Sequence, residues 1–271
     1  MDMENILESI SGNVPVPDTE YEKDGLLHCV VCHEKTQTEV EFMGVKKKVR
    51  CICKCKQAEL EKAKERERRE EIERNRMICF AESNMAAWNF ENDDRHNEKI
   101  SDAMKRYAEQ FPEFRRKGEG LLLYGGVGTG KTYLAACIAN ALIDSSYTVF
   151  MTNFARIANK LQGMYEGKQE YIDSLNRYSL LIIDDLGAER DSPWMKEIVF
   201  NIIDARYRSG LPLIITTNLS AAELKSTNQI EYSRIYDRIL ERCFPVEIKG
   251  ASRRRESLKA TYEDTKAKLG L

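Results

Sequence analysis

The sequence predicts an α/β fold with a five-stranded parallel sheet, and three observations carry this prediction. From about residue 78 onward, short apolar runs alternate with amphipathic segments of helical length. A glycine-rich loop follows the first apolar run, and a pair of acidic residues ends the third. Such alternation is typical of a parallel sheet with helices on both faces. The five predicted strands are residues 121–124, 148–152, 180–184, 212–217 and 245–248.

Composition places the chain among globular proteins with more than one domain. Its 271 residues suggest about two domains, and 42% hydrophobic residues are enough for a core. The net charge of -2 excludes a global attraction to nucleic acid, so any basic surface must be local. No apolar run approaches the roughly 18 residues of a membrane span, and residues 1–10 lack the pattern of a secretory signal. We therefore expect a cytoplasmic protein that does not bind a membrane.

Three regions of different composition indicate the domain organisation. Residues 1–55 begin with an acidic stretch and then concentrate five cysteines, which predicts a small N-terminal domain. Residues 56–77 are almost all charged, and pairs such as Glu65 and Arg69 have the favourable helical spacing. Their balanced charge favours a solvated linker helix over an arm that binds nucleic acid. Residues 78–271 hold the predicted sheet and form the expected nucleotide-binding domain.

The loop after the first predicted strand has a phosphate-binding pattern. Its sequence, GGVGTGKT, fits G-x-x-x-x-G-K-[ST] and stands between a strand and a helix, as the pattern requires. Backbone N–H groups of such a loop face phosphates, and the helix N-terminus adds positive charge. We expect Lys131 to reach the β- and γ-phosphates and Thr132 to bind Mg²⁺. The predicted nucleotide-binding residues of the loop are Gly125, Gly126, Val127, Gly128, Thr129, Gly130, Lys131 and Thr132.

Polar residues at the ends of two later strands are candidates for the rest of the site. Asp184 and Asp185 end the third strand, where ligands of open α/β sheets lie. We expect Asp184 to hold Mg²⁺ through its water shell and Asp185 to orient or deprotonate the attacking water. Two acids that cap a strand end in solvent are the alternative. Asn218 follows the fourth strand and either hydrogen-bonds the γ-phosphate or the water, or simply forms a turn.

These motifs together resemble the AAA+ ATPases. The segments LLIIDDLGAERDSPW and NIIDARYRSGLPLIITTN are similar to replicative helicase loaders of the DnaC/DnaI type, a group that includes the IstB transposition helper. The resemblance covers about residues 78–257 and implies a sheet order of 5-1-4-3-2 and a site completed by a neighbouring subunit. It implies Arg234 or Arg238 as the arginine finger and Arg254 as the second sensor arginine, because a planar guanidinium fits phosphate oxygens. Without the resemblance, Arg234 and Arg238 would be assigned to a salt-bridged helix surface.

The resemblance also implies a function. It is that of an ATP-dependent loader that self-associates, binds a replicative hexameric DNA helicase through its N-terminal domain and helps place it on single-stranded DNA. The implied cofactors of the ATPase domain are ATP, ADP and Mg²⁺. Most AAA+ proteins have Glu where this chain has Asp185, one methylene shorter, so we expect slow hydrolysis that DNA or the partner stimulates. The alternatives are a transposition helper of the IstB type and an adaptor that binds ATP without hydrolysing it.

Two aromatic residues are candidates for contact with single-stranded DNA. Trp194 begins a predicted helix after the acidic pair, and the resemblance places this turn beside the central channel of an AAA+ assembly. Tyr165 lies between Lys160 and Lys168, which are available for phosphates. An aromatic side chain in such a position can stack on a base. Burial in the core is the alternative, since apolar residues at helical spacing follow Trp194.

Five cysteines in the predicted N-terminal domain have positions suited to a metal. Cys29 and Cys32 form a C-x₂-C pair, and Cys51, Cys53 and Cys55 alternate along a later segment. This spacing is that of a tetrahedral structural zinc site, with a predicted hairpin that brings the two groups together. We expect Cys29, Cys32, Cys51 and Cys53 as ligands, with Cys55 as the substitute for Cys53. Zinc would stabilise a domain too small to bury much core; a reduced, metal-free cluster is the alternative.

Overall fold

The chain forms two compact units, Met1–Glu70 and Glu71–Leu271. The computed structural model describes residues 17–271 except 43, 82, 226–229, 254, 256, 257, 259–261, 263, 264, 267, 270 and 271. The predicted linker, residues 56–77, lies within one helix, and the predicted domain boundaries stay predictions. Within the described part of the chain, no helix is long and apolar enough to cross a membrane.

The first unit is built from two antiparallel hairpins and the start of a long helix. Its elements are β1 (Glu20–Lys23), β2 (Leu26–Cys29), β3 (Gln37–Phe42), β4 (Val45–Arg50) and α1 (Lys54–Phe80), which continues into the second unit. Asp24 and Gly25 join β1 to β2 with φ angles of 53° and 72°. This is the two-residue turn that suits the twist of a hairpin, and it requires residues that tolerate positive φ. The β3–β4 hairpin is the one that the sequence predicts.

The β3–β4 hairpin has one apolar face and one charged face. Opposite residues pair as Val40 with Lys47 and Phe42 with Val45, and alternate residues share a face. The other face carries pairs of glutamate and lysine, such as Glu39 with Lys48. Phe42 is 71% exposed, and its apolar neighbours on the face are exposed as well. We call Val40, Phe42, Val45 and Val49 the apolar face of the hairpin.

The second unit alternates strands and helices, as the sequence predicts. After α1 come the helices α2 (Glu98–Glu109) and α3 (Phe111–Lys117). The alternating part comprises β5 (Gly120–Tyr124), α4 (Lys131–Asp144), β6 (Val149–Thr152), α5 (Phe154–Gln162), α6 (Lys168–Ser174), β7 (Leu180–Leu186), α7 (Pro193–Ser209), β8 (Leu213–Thr217), α8 (Ala221–Lys225), α9 (Ile230–Arg242) and β9 (Cys243–Glu247). Short 3₁₀ segments cover Asn84–Ala87 and Leu175–Arg177.

The five strands of the second unit form one parallel sheet in the order β6-β7-β8-β5-β9. Counted from β5, this order is 5-1-4-3-2, which confirms the order implied by the AAA+ resemblance. The interior strand β7 is buried on both faces, and Leu180, Leu181, Ile182 and Ile183 are inaccessible to solvent. Continuous apolar strands are typical of parallel sheets covered on both sides. The carboxyl ends of β5, β7 and β8 therefore meet at one edge of the sheet.

A buried arginine joins the amino ends of β7 and β8, at the edge of the sheet away from the phosphate loop. The Arg206 side chain on α7 is almost completely buried. Its guanidinium donates to the carbonyl of Pro212, just before β8, at 2.7 Å, and to that of Tyr178, just before β7, at 3.1 Å. A buried polar group must find partners, and here backbone carbonyls supply them. Arg206 thus fixes the relative register of the two strands that carry the acidic pair and Asn218.

Candidate functional site

The glycine-rich loop between β5 and α4 has a backbone that only glycine adopts readily. Gly128 has a φ of 83° and Gly130 a φ of 102°. A side chain at Gly128 would also collide with the hydroxyl of Ser252, and a Cβ at Gly130 would lie 3.5 Å from the guanidinium carbon of Arg253. Both glycines are therefore required for the curl of the loop, and Gly128 is also required for the close approach of a segment that follows β9, whereas a Cβ at Gly130 would make only an ordinary contact.

Lys131, the first residue of α4, is buried beneath this loop. Its ammonium donates to the carbonyl oxygens of Gly125 and Gly126 at 2.9 and 2.8 Å. It also donates to the side-chain oxygen of Asn218 at 2.8 Å. These three hydrogen bonds hold the Lys131 ammonium next to the backbone of the loop, where a lysine can neutralise phosphate charge. Asn218, which sequence patterns leave open as a turn residue, is in direct contact with it.

Asp184 of β7 accepts two hydroxyl hydrogen bonds. Thr132 donates to its Oδ1 atom at 2.9 Å, and Thr216 of β8 donates to the same atom at 2.6 Å. Burial raises the pKa of Asp184 above its ordinary value, although the two hydroxyls act in the opposite direction. Carboxylate and hydroxyl oxygens suit Mg²⁺, so Thr132 and Asp184 form a fitting pair of ligands. Thr216 is a site residue that sequence patterns miss, although it precedes Asn218 by two positions on the same strand.

Asp185 has an unusual backbone conformation at the end of β7. Its φ is 57°, in the left-handed region that non-glycine residues seldom adopt. The Asp185 N–H donates to the Thr216 hydroxyl at 2.9 Å, and its carboxylate accepts from the Asn218 amide at 3.3 Å. The Asp185 carboxylate is thus in contact with Asn218. The two predicted catalytic side chains that end β7 and follow β8 therefore lie together.

A cavity of about 380 Å³ opens in front of these residues. Its polar wall contains Lys131, Thr132, Asp185 and Asn218. Its volume falls in the range of pockets that bind small molecules. The apolar wall contains Trp88 and Tyr133, whose ring centroids are 5.4 Å apart. These aromatics are further residues that sequence patterns miss, because Trp88 lies far upstream of the phosphate loop and no motif marks it.

The expected second sensor arginine, Arg254, lies outside the described residues. Its neighbour Arg253 lines the same cavity as Lys131. The Arg253 N–H donates to the carbonyl of Gly128 at 3.0 Å, so the backbone itself is attached to the phosphate loop. Within the described residues, Arg253 is therefore the arginine of the SRRR segment that reaches the site.

The two candidate finger arginines on α9 differ in their surroundings. Arg238 forms an ion pair with the buried Asp204 at 2.8 Å, and its guanidinium also lies 4.7 Å from the ring centroid of Phe200. Arg234 is exposed. Arg238 thus has a structural role within its own subunit, whereas Arg234 projects from the surface. Of the two, Arg234 is better placed to reach a neighbouring molecule.

The two aromatic candidates for DNA contact are both accessible to solvent. Tyr165 is fully exposed at 103%, so burial in the core does not explain it. Trp194 is 41% exposed at the start of α7. Lys160 lies 4.6 Å from the ring centroid of Tyr171, and Lys168 begins α6. The Tyr165 ring is exposed enough to stack on a base, whereas the Trp194 ring is only partly exposed.

In the first unit, four cysteine sulfurs lie within 4.8 Å of one another. They belong to Cys29 at the end of β2, Cys32 in the following turn, and Cys53 and Cys55 at the start of α1. The expected set differs at one position, because the Cys51 thiol donates instead to the carbonyl of Lys35 at 3.4 Å. The helix begins at Lys54, so the alternation expected for an extended segment stops before Cys55. Thus Cys53 and Cys55, rather than Cys51 and Cys53, face the first pair.

The donor set of this cluster fits a zinc ion. Four thiolates around zinc at about 2.3 Å stand roughly 3.8 Å apart, and the Cys29 sulfur lies 3.4 Å from that of Cys55. Backbone N–H groups of Cys32 and Val31 lower the pKa of Cys29 to about 6. A thiol with a lowered pKa is largely a thiolate near neutral pH, which is the form that binds metal. These four residues would hold the ion and connect the end of the β1–β2 hairpin to the start of α1.

Comparisons with known proteins agree with this architecture. A model of the IstB-like ATP binding protein family matches residues 31–260. The replicative helicase loader DnaI of Bacillus subtilis (strain 168) is 31% identical over 57% of this chain and 52% of that protein. The replicative helicase loader DnaC of Escherichia coli (strain K12) is 27% identical over 55% of this chain and 62% of that protein. The chain thus spans about half the length of the curated relatives it matches.

A solved structure has a similar fold over about two thirds of this chain. The crystal structure of DnaI matches with a TM-score of 0.55 and 27% identity, over 66% of this chain and 99% of that chain. The family model extends across more than half of the chain and includes the phosphate loop, the acidic pair and Asn218. The chain therefore belongs to the family of IstB-like ATP binding proteins.

Proposed function

We propose that this chain is an ATPase that binds a replicative DNA helicase and helps place it on single-stranded DNA. One observation supports it most: the hydrogen-bonded pairs Lys131–Asn218 and Thr132–Asp184 are joined into one network through Asp185 and Thr216. Two of the relatives are named as replicative helicase loaders. Such a role would place the chain in the cytoplasm.

The chemistry proposed is attack of water on the γ-phosphate of ATP. Lys131 neutralises phosphate charge. Thr132 and Asp184 would hold Mg²⁺, which would supply charge stabilisation for the phosphoryl group. Asp185 accepts a proton from the attacking water or orients it, and Asn218 fixes the direction of the Asp185 carboxylate through its amide. Asp185 is shorter than glutamate, so its carboxylate approaches the water less closely. We therefore propose slow hydrolysis that DNA or the helicase stimulates.

The first unit is proposed to bind the helicase. Its apolar hairpin face, Val40, Phe42, Val45 and Val49, is exposed on a unit that buries few residues. Contiguous exposed apolar side chains usually indicate a site of protein contact. The four-cysteine cluster, with zinc bound, would fix the hairpin on a rigid support. A hexameric helicase is the partner that the loader role requires.

Self-association and DNA contact complete the proposed function. Arg234 is proposed to enter the nucleotide site of a neighbouring subunit and stabilise the charge that develops during phosphoryl transfer. Tyr165 is proposed to stack on the bases of a single strand, with Trp194 as a second contact. Both roles require exposed side chains, and Arg234 and Tyr165 meet that condition.

A single experiment tests the function. The purified full chain is mixed with a bacterial replicative hexameric helicase, with ATP and Mg²⁺, and complexes are measured by size-exclusion chromatography with light scattering. We expect a stable complex, and ATP turnover that rises when single-stranded DNA is added. A matched control replaces Phe42 with Ser on the exposed hairpin face, which should weaken the complex without changing turnover of the chain alone. Failure of the unaltered chain to bind any helicase tested would contradict the proposal.

A transposition helper of the IstB type is the second candidate, favoured by the family model itself. A transposase would then replace the helicase as the partner. The same chromatography with a transposase of the corresponding insertion-sequence type separates the two. The cysteine cluster favours the loader, because the resemblance connects an N-terminal domain with helicase binding.

A further inference from the structure

A buried carboxylate lies beside the nucleotide cavity, outside the motifs that the phosphate chemistry uses. Asp93 lies in the segment before α2, and its side chain is only 1% exposed. One of its oxygens accepts a hydrogen bond from the hydroxyl of Ser101 on α2. The other oxygen, Oδ1, is buried and has no hydrogen-bond partner among the described residues. A buried charge is costly unless an opposite charge lies near it, so Asp93 depends on a cation.

That cation is Arg253. Its Nη1 atom lies 3.8 Å from the Oδ1 atom of Asp93. Its Nη2 atom lies 3.0 Å from a carboxylate oxygen of Asp94, whose side chain is 58% exposed. The distance to Asp93 is that of an ion pair without a hydrogen bond, so a small shift of the guanidinium changes the contact. The two aspartates hold Arg253 between them.

The same guanidinium lies against the phosphate loop. Its central carbon is 3.5 Å from the position of a Cβ on Gly130, the residue before Lys131. Arg253 also lines the cavity together with Lys131 and Asn218. An arginine is always charged and carries five donors in a rigid fork, so it can contact a phosphate while it still faces a carboxylate. One side chain thus connects the phosphate site with the buried Asp93.

We infer that Asp93 is a positioning residue that holds Arg253 where it distinguishes ATP from ADP. This inference rests on the proposed binding of nucleotide at the phosphate loop. The aspartates orient the guanidinium before nucleotide binds, so that Arg253 can contact a γ-phosphate without rearrangement; ADP has no γ-phosphate and gains nothing from this orientation. Because Asp93 is also bonded to Ser101, a shift of Arg253 changes the charge balance next to α2. The pair therefore couples the identity of the nucleotide to the position of that helix.

The test measures affinities of the full chain for ADP and for a non-hydrolysable ATP analogue, with Mg²⁺, by calorimetry. Replacement of the Asp93 carboxylate by an amide, Asp93→Asn, keeps the shape but removes the attraction for Arg253. We expect the preference for the ATP analogue over ADP to fall about tenfold, because Arg253 loses the buried charge that holds it in place. In the background of Arg253→Gln, the same Asp93→Asn change should have no further effect on this ratio, because the two residues act as a unit.

A matched control is Asp102→Asn, which removes a carboxylate of α2 that pairs with Arg95 at 2.9 Å and does not contact Arg253. It should leave the ratio unchanged. If Asp93→Asn does not fold, as judged by thermal melting, Ser101→Ala keeps the charge but frees the carboxylate, and the ratio should fall about threefold.

An unchanged ratio in Asp93→Asn, or equal effects with and without Arg253, would overturn the inference. Failure of the unaltered chain to bind either nucleotide would instead overturn the proposed function.

Discussion

The ammonium of Lys131 and the side-chain oxygen of Asn218 lie 2.8 Å apart, which joins the loop after β5 to the end of β8. The amide of Asn218 continues the connection to Asp185 at 3.3 Å. The proposed phosphate-binding residue and the residue proposed to direct the attacking water are therefore joined through one side chain. The roles of Lys131 and Asn218 should separate when each is replaced.

Lys131→Ala should abolish nucleotide binding, whereas Asn218→Ala should bind ATP and lose turnover on the order of a hundredfold. The charge of Lys131 stabilises bound ATP before the reaction, whereas Asn218 affects the reaction through the position of the Asp185 carboxylate. The measurement combines equilibrium binding of ATP with steady-state hydrolysis for both variants. Asn218→Ala that loses affinity and turnover by the same factor would assign this residue to binding alone.

Asp184→Asn should be inactive but more stable than the unaltered chain at about pH 8. Burial raises the pKa of Asp184, so the folded state disfavours the charged form that dominates at high pH. As the pH falls from about 8 through the raised pKa of Asp184, the aspartate takes up a proton and the difference should shrink. Melting temperatures of both proteins across this range test the sign. If the melting temperature of Asp184→Asn exceeded that of the unaltered chain by more at low pH than at high pH, the proposed effect of burial on Asp184 would be contradicted.

Cys29→Ser and Cys55→Ser should each remove the metal, whereas Cys51→Ser should retain it. The sulfurs of Cys29 and Cys55 belong to the four-cysteine cluster, whereas the Cys51 thiol contacts a backbone carbonyl instead. Elemental analysis of protein purified without chelator should give one zinc per chain for the unaltered sequence and for Cys51→Ser. Helicase binding should be lost with the metal, because the apolar hairpin face loses its support. Zinc loss in Cys51→Ser would restore the ligand set expected from the sequence.

Arg234→Ala should reduce turnover without loss of stability, and Arg238→Ala should reduce stability by about 2 kcal/mol. Arg238 pairs with the buried Asp204, whereas Arg234 is exposed. Mixing Arg234→Ala with Lys131→Ala should restore some hydrolysis, because one mixed interface combines an intact nucleotide site with an intact finger. Steady-state hydrolysis at equal total protein, with co-assembly verified, is the measurement. Activity equal to the sum of the separate variants would rule out action across subunits.

Gly128→Ala should disrupt the site by displacing the segment after β9. The new methyl group would meet the hydroxyl of Ser252 and would sit on a backbone with φ of 83°. The double variant Gly128→Ala with Ser252→Gly keeps the backbone strain and removes the collision. Nucleotide affinity that recovers in part in the double variant would show that the collision matters; equal loss in both would assign the effect to strain.

Much of the second unit could be predicted because its signals are local. A glycine-rich loop between a strand and a helix predicts the positions of Lys131 and Thr132, and an apolar strand that ends in acids predicts that of Asp184. Parallel strands bring the residues that follow their carboxyl ends to one edge of the sheet, regardless of the length or conformation of the connecting loops. The sheet order came from the family resemblance, since strand order leaves no local mark in a sequence.

The parts that could not be predicted depend on where an element begins or on contacts between distant segments. Cys51, Cys53 and Cys55 alternate, but α1 begins at Lys54 and changes which sulfurs face Cys29. Among three consecutive arginines, no pattern distinguishes Arg253 from Arg254. Trp88 enters the cavity only through the tertiary fold.

The contact of Ser252 and Arg253 with the glycine-rich loop also has a consequence for folding. It joins the loop after the first strand of the sheet to a segment that follows the last strand, so the site is complete only when almost the whole second unit has been synthesised. Contacts between residues so distant in sequence slow folding. Because nucleotide binds only the completed arrangement, it should stabilise the entire unit by mass action, and cellular ATP would then protect the newly made protein from proteolysis.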